Sequence, residues 1–131
     1  MTSFTRIGII FCLLSVIFGA FGSHILKEFL HDNQLTSFKI GVQYQIFHGI
    51  TILFISLKSR HFLNTRKSLR IMTTGIILFS FSIYLISMKD ILNISIQYIT
   101  PLTPLGGILL IISWVMLLMN VKKNNLTNNS H

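Results

Sequence analysis

The sequence predicts an all-α fold: an integral-membrane four-helix bundle in a single domain. Three observations predict it. The 131-residue chain is 51% hydrophobic and only 11% charged, with a mean hydropathy of +0.69, whereas soluble domains carry roughly 25% charged residues. It holds four apolar runs of about 20 residues, the length that crosses ~30 Å of hydrocarbon at 1.5 Å rise per residue. Its basic residues gather between alternate runs rather than over one surface.

The first run, at about residues 7–25, is longer than the apolar part of a signal peptide and lacks a small-residue cleavage site after it. It is therefore expected to remain as a helix. Gly8, Cys12, Ser15, Gly19 and Gly22 or Ser23 follow steps of three and four along it. Such a stripe lets a second backbone come close, which is how helices pack inside lipid. Gly8, Ser15, Gly19 and Gly22 are thus expected to serve helix packing. Cys12 is the only cysteine, so no intrachain disulfide is expected. The connection LKEFLHDNQLTS follows His24, and Asp32 or Asn33 is expected to cap the second helix.

That second helix, at about residues 36–57, carries the most informative stretch of the chain. Within FKIGVQYQIFHGITILFISL, Gly41, Tyr44, Gln45 and His48 are three and four apart, so they share one face. Lipid offers such a face no hydrogen-bond partners, so it must meet other helices or a wet cavity. The next connection, KSRHFLNTRKSLR, has five bases and no acid. The third helix is expected at about 69–88, with Ser80, Tyr84 and Ser87 on one side. In ITPLTPLGG, Thr103 can cap a fourth helix at about 104–121 and Pro104 can take its first position. Gly106 and Gly107 allow close packing near its start, and Trp114 needs a partner for its N–H if buried. Residues 122–131 read as a polar, disordered tail.

Charge orients the four spans. One side holds Arg6, Lys58, Arg60, Arg66, Lys67, Arg70, Lys122 and Lys123 with no acid. The other holds Lys27, Lys39 and Lys89 against Glu28, Asp32 and Asp90. The excess of bases places the N- and C-termini in the cytoplasm. The net charge of +8 is a consequence of topology, and the bases lack the aromatic interleaving or motif of a nucleic-acid-binding surface. The partner to expect is the lipid bilayer, together with a second copy of the chain or another membrane protein.

Four segments in register, GAFGSH at 19–24, VQYQIFH at 42–48, FSFSIY at 79–84 and TPLGG at 103–107 followed by Trp114, resemble a small family of bacterial membrane proteins. This is uncharacterised protein family 0382, also described as domain of unknown function 423. The resemblance covers about residues 7–121. Ser23 stands where the family pattern has alanine, and Phe81 where it has glycine. A benzyl group at 81 argues against a close helix contact there. The resemblance implies a multi-pass protein of the bacterial plasma membrane and implies no activity.

The candidate binding residues are His24, Tyr44, Gln45, His48, Ser80, Tyr84 and Thr103. From helix direction and rise they are expected to converge on one cavity open to the outside, with Ser80 able to face His48. No catalytic residue is assigned. The spans contain no Asp or Glu, which argues against a carboxylate-driven transporter or an intramembrane acid–base enzyme. No metal and no cofactor is expected, since His24 and His48 alone fall short of a zinc ligand set. The function to expect is that of a non-enzymatic accessory or small-solute-binding membrane protein. The alternative is a small oligomeric transporter or channel with His48 lining the path.

Overall fold

A computed structural model describes residues 2–58 and 65–128, with residues 121–128 as backbone only. The architecture is all-α. Helix α1 (Thr2–His24) ends in a 3₁₀ turn at Leu26–Glu28. Helix α2 follows (Asp32–Leu57), then α3 (Arg66–Ser87), the short α4 (Lys89–Leu92) and α5 (Leu102–Asn128). Four of these segments are long and apolar enough to cross a membrane. The chain is thus an integral-membrane four-helix bundle.

Several boundaries differ from those read in the sequence, each for a local reason. Helix α1 begins at Thr2, because nothing between Thr2 and Arg6 breaks a helix. Helix α2 is capped at His31, not at Asp32 or Asn33. Its extended backbone there (φ −65°, ψ 155°) lets the His31 N–H donate to Gln34 Oε1 at 3.1 Å. Gln34 Nε2 in turn donates to Asp90 Oδ2 at 2.6 Å, tying the start of α2 to the connection after α3. The segment read as a loop after α3 contains α4, which ends at Asn93 in the left-handed region (φ 51°). Helix α5 starts at Leu102, with the Pro101 carbonyl taking its first bond from Leu105 N–H. Thr103 therefore lies inside the first turn rather than at the cap. Helix α5 continues as backbone to Asn128, through part of the stretch expected to be a disordered tail; lysine and asparagine tolerate a helix once it has left the apolar run. Residues 129–131 of that expected tail lie outside the described residues.

Helix α1 packs along α2, and α5 packs along α3, while α2 and α3 meet over their length. Two apolar clusters fill the bundle. One joins Phe11 of α1 to Ile52 and Ile55 of α2, Leu69, Met72 and Ile76 of α3, and Leu110 and Leu117 of α5. The other, nearer the α1–α2 turn, gathers Leu26, Leu30, Leu35, Phe38 and Tyr84, with Phe18, Val42 and Phe81 against them.

Backbones come closest at two glycines. A Cβ on Gly8 would lie 2.8 Å from Leu53 N and 2.9 Å from the Gly49 carbonyl, so α1 and α2 touch through their main chains. A Cβ on Gly106 would lie 2.5 Å from Phe79 N and 2.9 Å from the Gly75 carbonyl. Phe79 belongs to a wide π turn, Ile77–Phe81, within α3. Here Ile77 N–H is shared between the Thr73 and Thr74 carbonyls, and the swollen backbone meets Gly106 of α5. Gly19 and Gly107 are looser, at 3.7 Å from Val42 Cγ1 and from Phe79 Cδ2.

Gly106→Ala should lower the melting temperature in detergent, at an overpacking cost of about 1–3 kcal/mol. Gly107→Ala should fall within ~0.5 kcal/mol of the parent. Equal melting of the two variants would contradict this seam.

Candidate functional site

The polar face of α2 divides into two fastenings at successive depths. The upper one is centred on Gln45, which is fully buried. Its Nε2 donates to the Phe11 carbonyl of α1 at 3.1 Å, and its Oε1 accepts the Tyr84 hydroxyl of α3 at 2.8 Å. The Phe11 carbonyl can only accept, which fixes which end of the carboxamide faces it. The same carbonyl accepts Ser15 Oγ at 2.8 Å. One side chain thus links three helices.

Tyr84 reaches Gln45 because Gly41 leaves room. A Cβ on Gly41 would lie 2.7 Å from Tyr84 Cε1. The phenol ring sits among Phe38, Phe18 and Phe81, with ring centroids 4.8, 5.0 and 5.7 Å away. Phe81 meets Phe18 of α1 edge-on at 6.4 Å. Aromatic edge packing there does the work that backbone contact does at Gly106.

The lower fastening is centred on His48, which is 8% exposed. Trp114 Nε1 of α5 donates to His48 Nε2 at 3.1 Å. The indole can only donate, so His48 carries its proton on Nδ1. That Nδ1–H donates to the Tyr44 carbonyl one turn back, at 2.7 Å. Both ring nitrogens are therefore satisfied in the neutral form. The Tyr44 ring stacks on His48 at 5.8 Å and packs against Phe79 at 4.5 Å. Tyr44 and Trp114 remain 42% and 47% exposed, so this side faces outward from the bundle. A groove of about 510 Å³ opens beside them, lined by Tyr44, Phe47, His48, Phe79, Leu110 and Trp114 among others.

The remaining candidates lie apart. Ser82 of α3 donates to the Phe79 carbonyl at 2.9 Å, so the 2.7 Å contact between Ser82 and Thr103 of α5 has the threonine as donor. Ser80, in the wide turn, is fully buried, and among the described residues its hydroxyl has no partner. It does not bond to His48, whose nitrogens are taken by Trp114 and Tyr44. His24 is exposed at the end of α1. The structure thus distributes the candidate residues over separate contacts between different helix pairs rather than around one cavity. Two partners stood outside the sequence-derived set. The Phe11 carbonyl gives no sequence signal, being backbone. Trp114 does give one: a mid-span indole needs an acceptor if it is buried.

Four spanning helices fastened by paired polar side chains define a multi-pass integral membrane protein. The family model described as Protein of unknown function (DUF423) matches residues 18–107. Over 126 residues the chain is 36% identical to the UPF0382 membrane protein YwdK of Bacillus subtilis strain 168, covering 94% of this chain and 98% of that protein. It is 32% identical over 120 residues to a UPF0382 membrane protein of Staphylococcus aureus, with 91% and 94% of the two chains covered. A relative from Staphylococcus haemolyticus is 30% identical over 124 residues, with 94% and 98% covered. The chain belongs to this UPF0382 (DUF423) family of membrane proteins. No solved structure matches it.

The Gln45–Tyr84 bond is best tested by a double-mutant cycle. Tyr84→Phe and Gln45→Leu should each lower stability by about 0.5–2 kcal/mol, and the two together by less than their sum. Strict additivity in thermal or denaturant unfolding would argue against a direct bond.

Proposed function

We propose that the chain is a non-enzymatic accessory protein of the bacterial plasma membrane, whose intramembrane polar groups hold the helices in register. The observation that carries this reading is His48. Both of its nitrogens are engaged, one by its own helix and one by Trp114. A histidine that relays protons or passes a solute must exchange partners, whereas one that fastens helices keeps them. Gln45 supports the same reading, since its carboxamide is committed on both sides.

A second reading retains a specific observation. The groove beside His48 opens on the outside of the bundle, between α2 and α5. A second copy laid over that face would enclose it, and His48 would then line a path in an oligomeric transporter or channel. Crosslinking in native membranes that yields monomer alone would remove this alternative.

Loop charge supports an orientation with both termini in the cytoplasm. The beginning of α1 and the beginning of α3 share one end of the bundle with Arg6, Lys58, Arg66, Lys67 and Arg70. The opposite end carries Glu28, Asp32 and Asp90.

Under the fastening role, His48→Ala and Trp114→Phe should each destabilise the protein in detergent by about 0.6–2 kcal/mol. Neither should change a proton or solute flux in proteoliposomes. A folded His48→Ala variant that loses a flux shown by the parent would overturn the accessory role in favour of transport. For orientation, a Cys12→Ala background serves two probes. Asn93→Cys should react with a membrane-impermeant maleimide on intact cells, and Lys58→Cys only after lysis. The opposite labelling pattern would invert the topology.

A further inference from the structure

At the basic end of the bundle a crevice of about 570 Å³ lies between the first turns of α1 and α3. It is lined by Ser3, Phe4 and Ile7 of α1 and by Arg66, Arg70, Thr73 and Thr74 of α3. Nothing in the fold or in the fastening role accounts for it. We infer that this crevice binds the phosphate-bearing headgroup of an anionic diacyl phospholipid, such as phosphatidylglycerol, from the leaflet on that side of the bilayer.

Charge is the first argument. Arg66 and Arg70 are four apart on α3, so they project from one helix face. The chain has only three acidic side chains, Glu28, Asp32 and Asp90, and all belong to the opposite end. Two guanidinium groups thus border one crevice with no acidic side chain at that end of the bundle to neutralise them. A guanidinium binds a phosphate diester through paired N–H donors, a geometry lysine lacks. Basic pockets between spanning helices are suited to anionic headgroups for this reason.

The second argument is the order of the lining along the helix axis. Arg66 opens α3, and Arg70 lies one turn deeper, about 6 Å along the axis at 1.5 Å per residue. Phe4 and Ile7 of α1 complete an apolar flank that packs against the buried cluster of the bundle. The threonine hydroxyls do not compete with the arginines as donors. Thr73 Oγ1 donates to the Leu69 carbonyl at 2.8 Å, and Thr74 Oγ1 to the Arg70 carbonyl at 3.1 Å. The crevice therefore presents cationic donors beside an apolar wall. A free phosphate ion would lose hydration against Phe4 and Ile7 without return. A phospholipid sets its glycerol and first methylenes there and its phosphate against the arginines.

The test uses the full chain, purified in dodecyl maltoside, stripped of lipid, and followed by thermal unfolding. Added phosphatidylglycerol should raise the melting temperature by roughly 4 °C or more. Phosphatidylcholine with the same acyl chains, and inorganic phosphate, should each give less than a quarter of that shift. The R66Q/R70Q double variant should lose the shift, and K27Q/K39Q, at the opposite end, should keep it. Ser3→Phe retains both arginines while filling the mouth of the crevice, and it should lose the shift as well. Equal shifts from the zwitterionic lipid or from phosphate would overturn the inference. So would an intact shift in Ser3→Phe, or an equal loss in K27Q/K39Q.

Discussion

The carboxamide of Gln45 is the point on which the bundle turns. It lies in the hydrophobic interior, where water cannot offer replacement bonds, and it is held by a carbonyl of α1 and a phenol of α3. An unpaired amide in that setting costs several kcal/mol. The three helices are therefore bound to one relative rotation and one relative height. Slipping α3 by one turn would carry Tyr84 about 5.4 Å from its acceptor. Gly41 and the ring of phenylalanines around Tyr84 follow from this requirement. The glycine clears the way for the phenol, and the aromatic edges hold it once there.

The other polar pairs extend the same logic to the helices that Gln45 does not reach. Thr5 and Ser56 join α1 to α2 at the basic end, at 3.0 Å. His48 and Trp114 join α2 to α5, and Ser82 and Thr103 join α3 to α5. Helix α2 is thus tied to all three other spans, α3 and α5 are tied to α2 and to each other, and α1 is tied to α2 at two depths. Each bond is worth little by itself in a membrane, since the separated helices also find partners. Their value is in specificity. Close apolar packing at Gly8 and Gly106 supplies attraction, and the polar pairs choose which of several similar packings is adopted.

The number of spans was legible in the sequence, because hydrocarbon thickness and helical rise leave few alternatives; of the α2 polar face, Gly41, Gln45 and His48 turn inward while Tyr44 stays 42% exposed. Trp114 and His48 each announced the need for a partner. Their mutual bond was not legible, since nothing in one sequence says which acceptor a mid-span indole will meet. Two caps were misread for a related reason. Asp32, Asn33 and Thr103 are good capping residues, yet Gln34 supplies the contact to His31, and the Thr103 hydroxyl is drawn to Ser82. Tertiary demand overrode local preference at both. The wide turn at Ile77–Phe81 was hidden for a different reason. It arises where the α3 backbone swells against Gly106, and no residue within the turn is unusual for a helix.

The seam between α2 and α5 is built unlike the others. These helices make little backbone contact. Between them lie the groove beside His48 and a second apolar furrow of about 480 Å³ lined by Ile50, Thr51, Phe54, Ile55, Trp114, Leu117 and Leu118. Trp114 borders both and bridges the gap through its bond to His48. In water such a seam would close, because exposed apolar walls are driven together. In lipid that force is absent, and acyl chains can fill the furrow without leaving any polar group unpaired. The indole–imidazole bond, with the packing of α5 along α3, then sets the distance between α2 and α5. The same bond in a soluble bundle would add little to the packing around it. Here it holds two helices that otherwise scarcely touch, so the membrane as solvent decides how much one hydrogen bond must do.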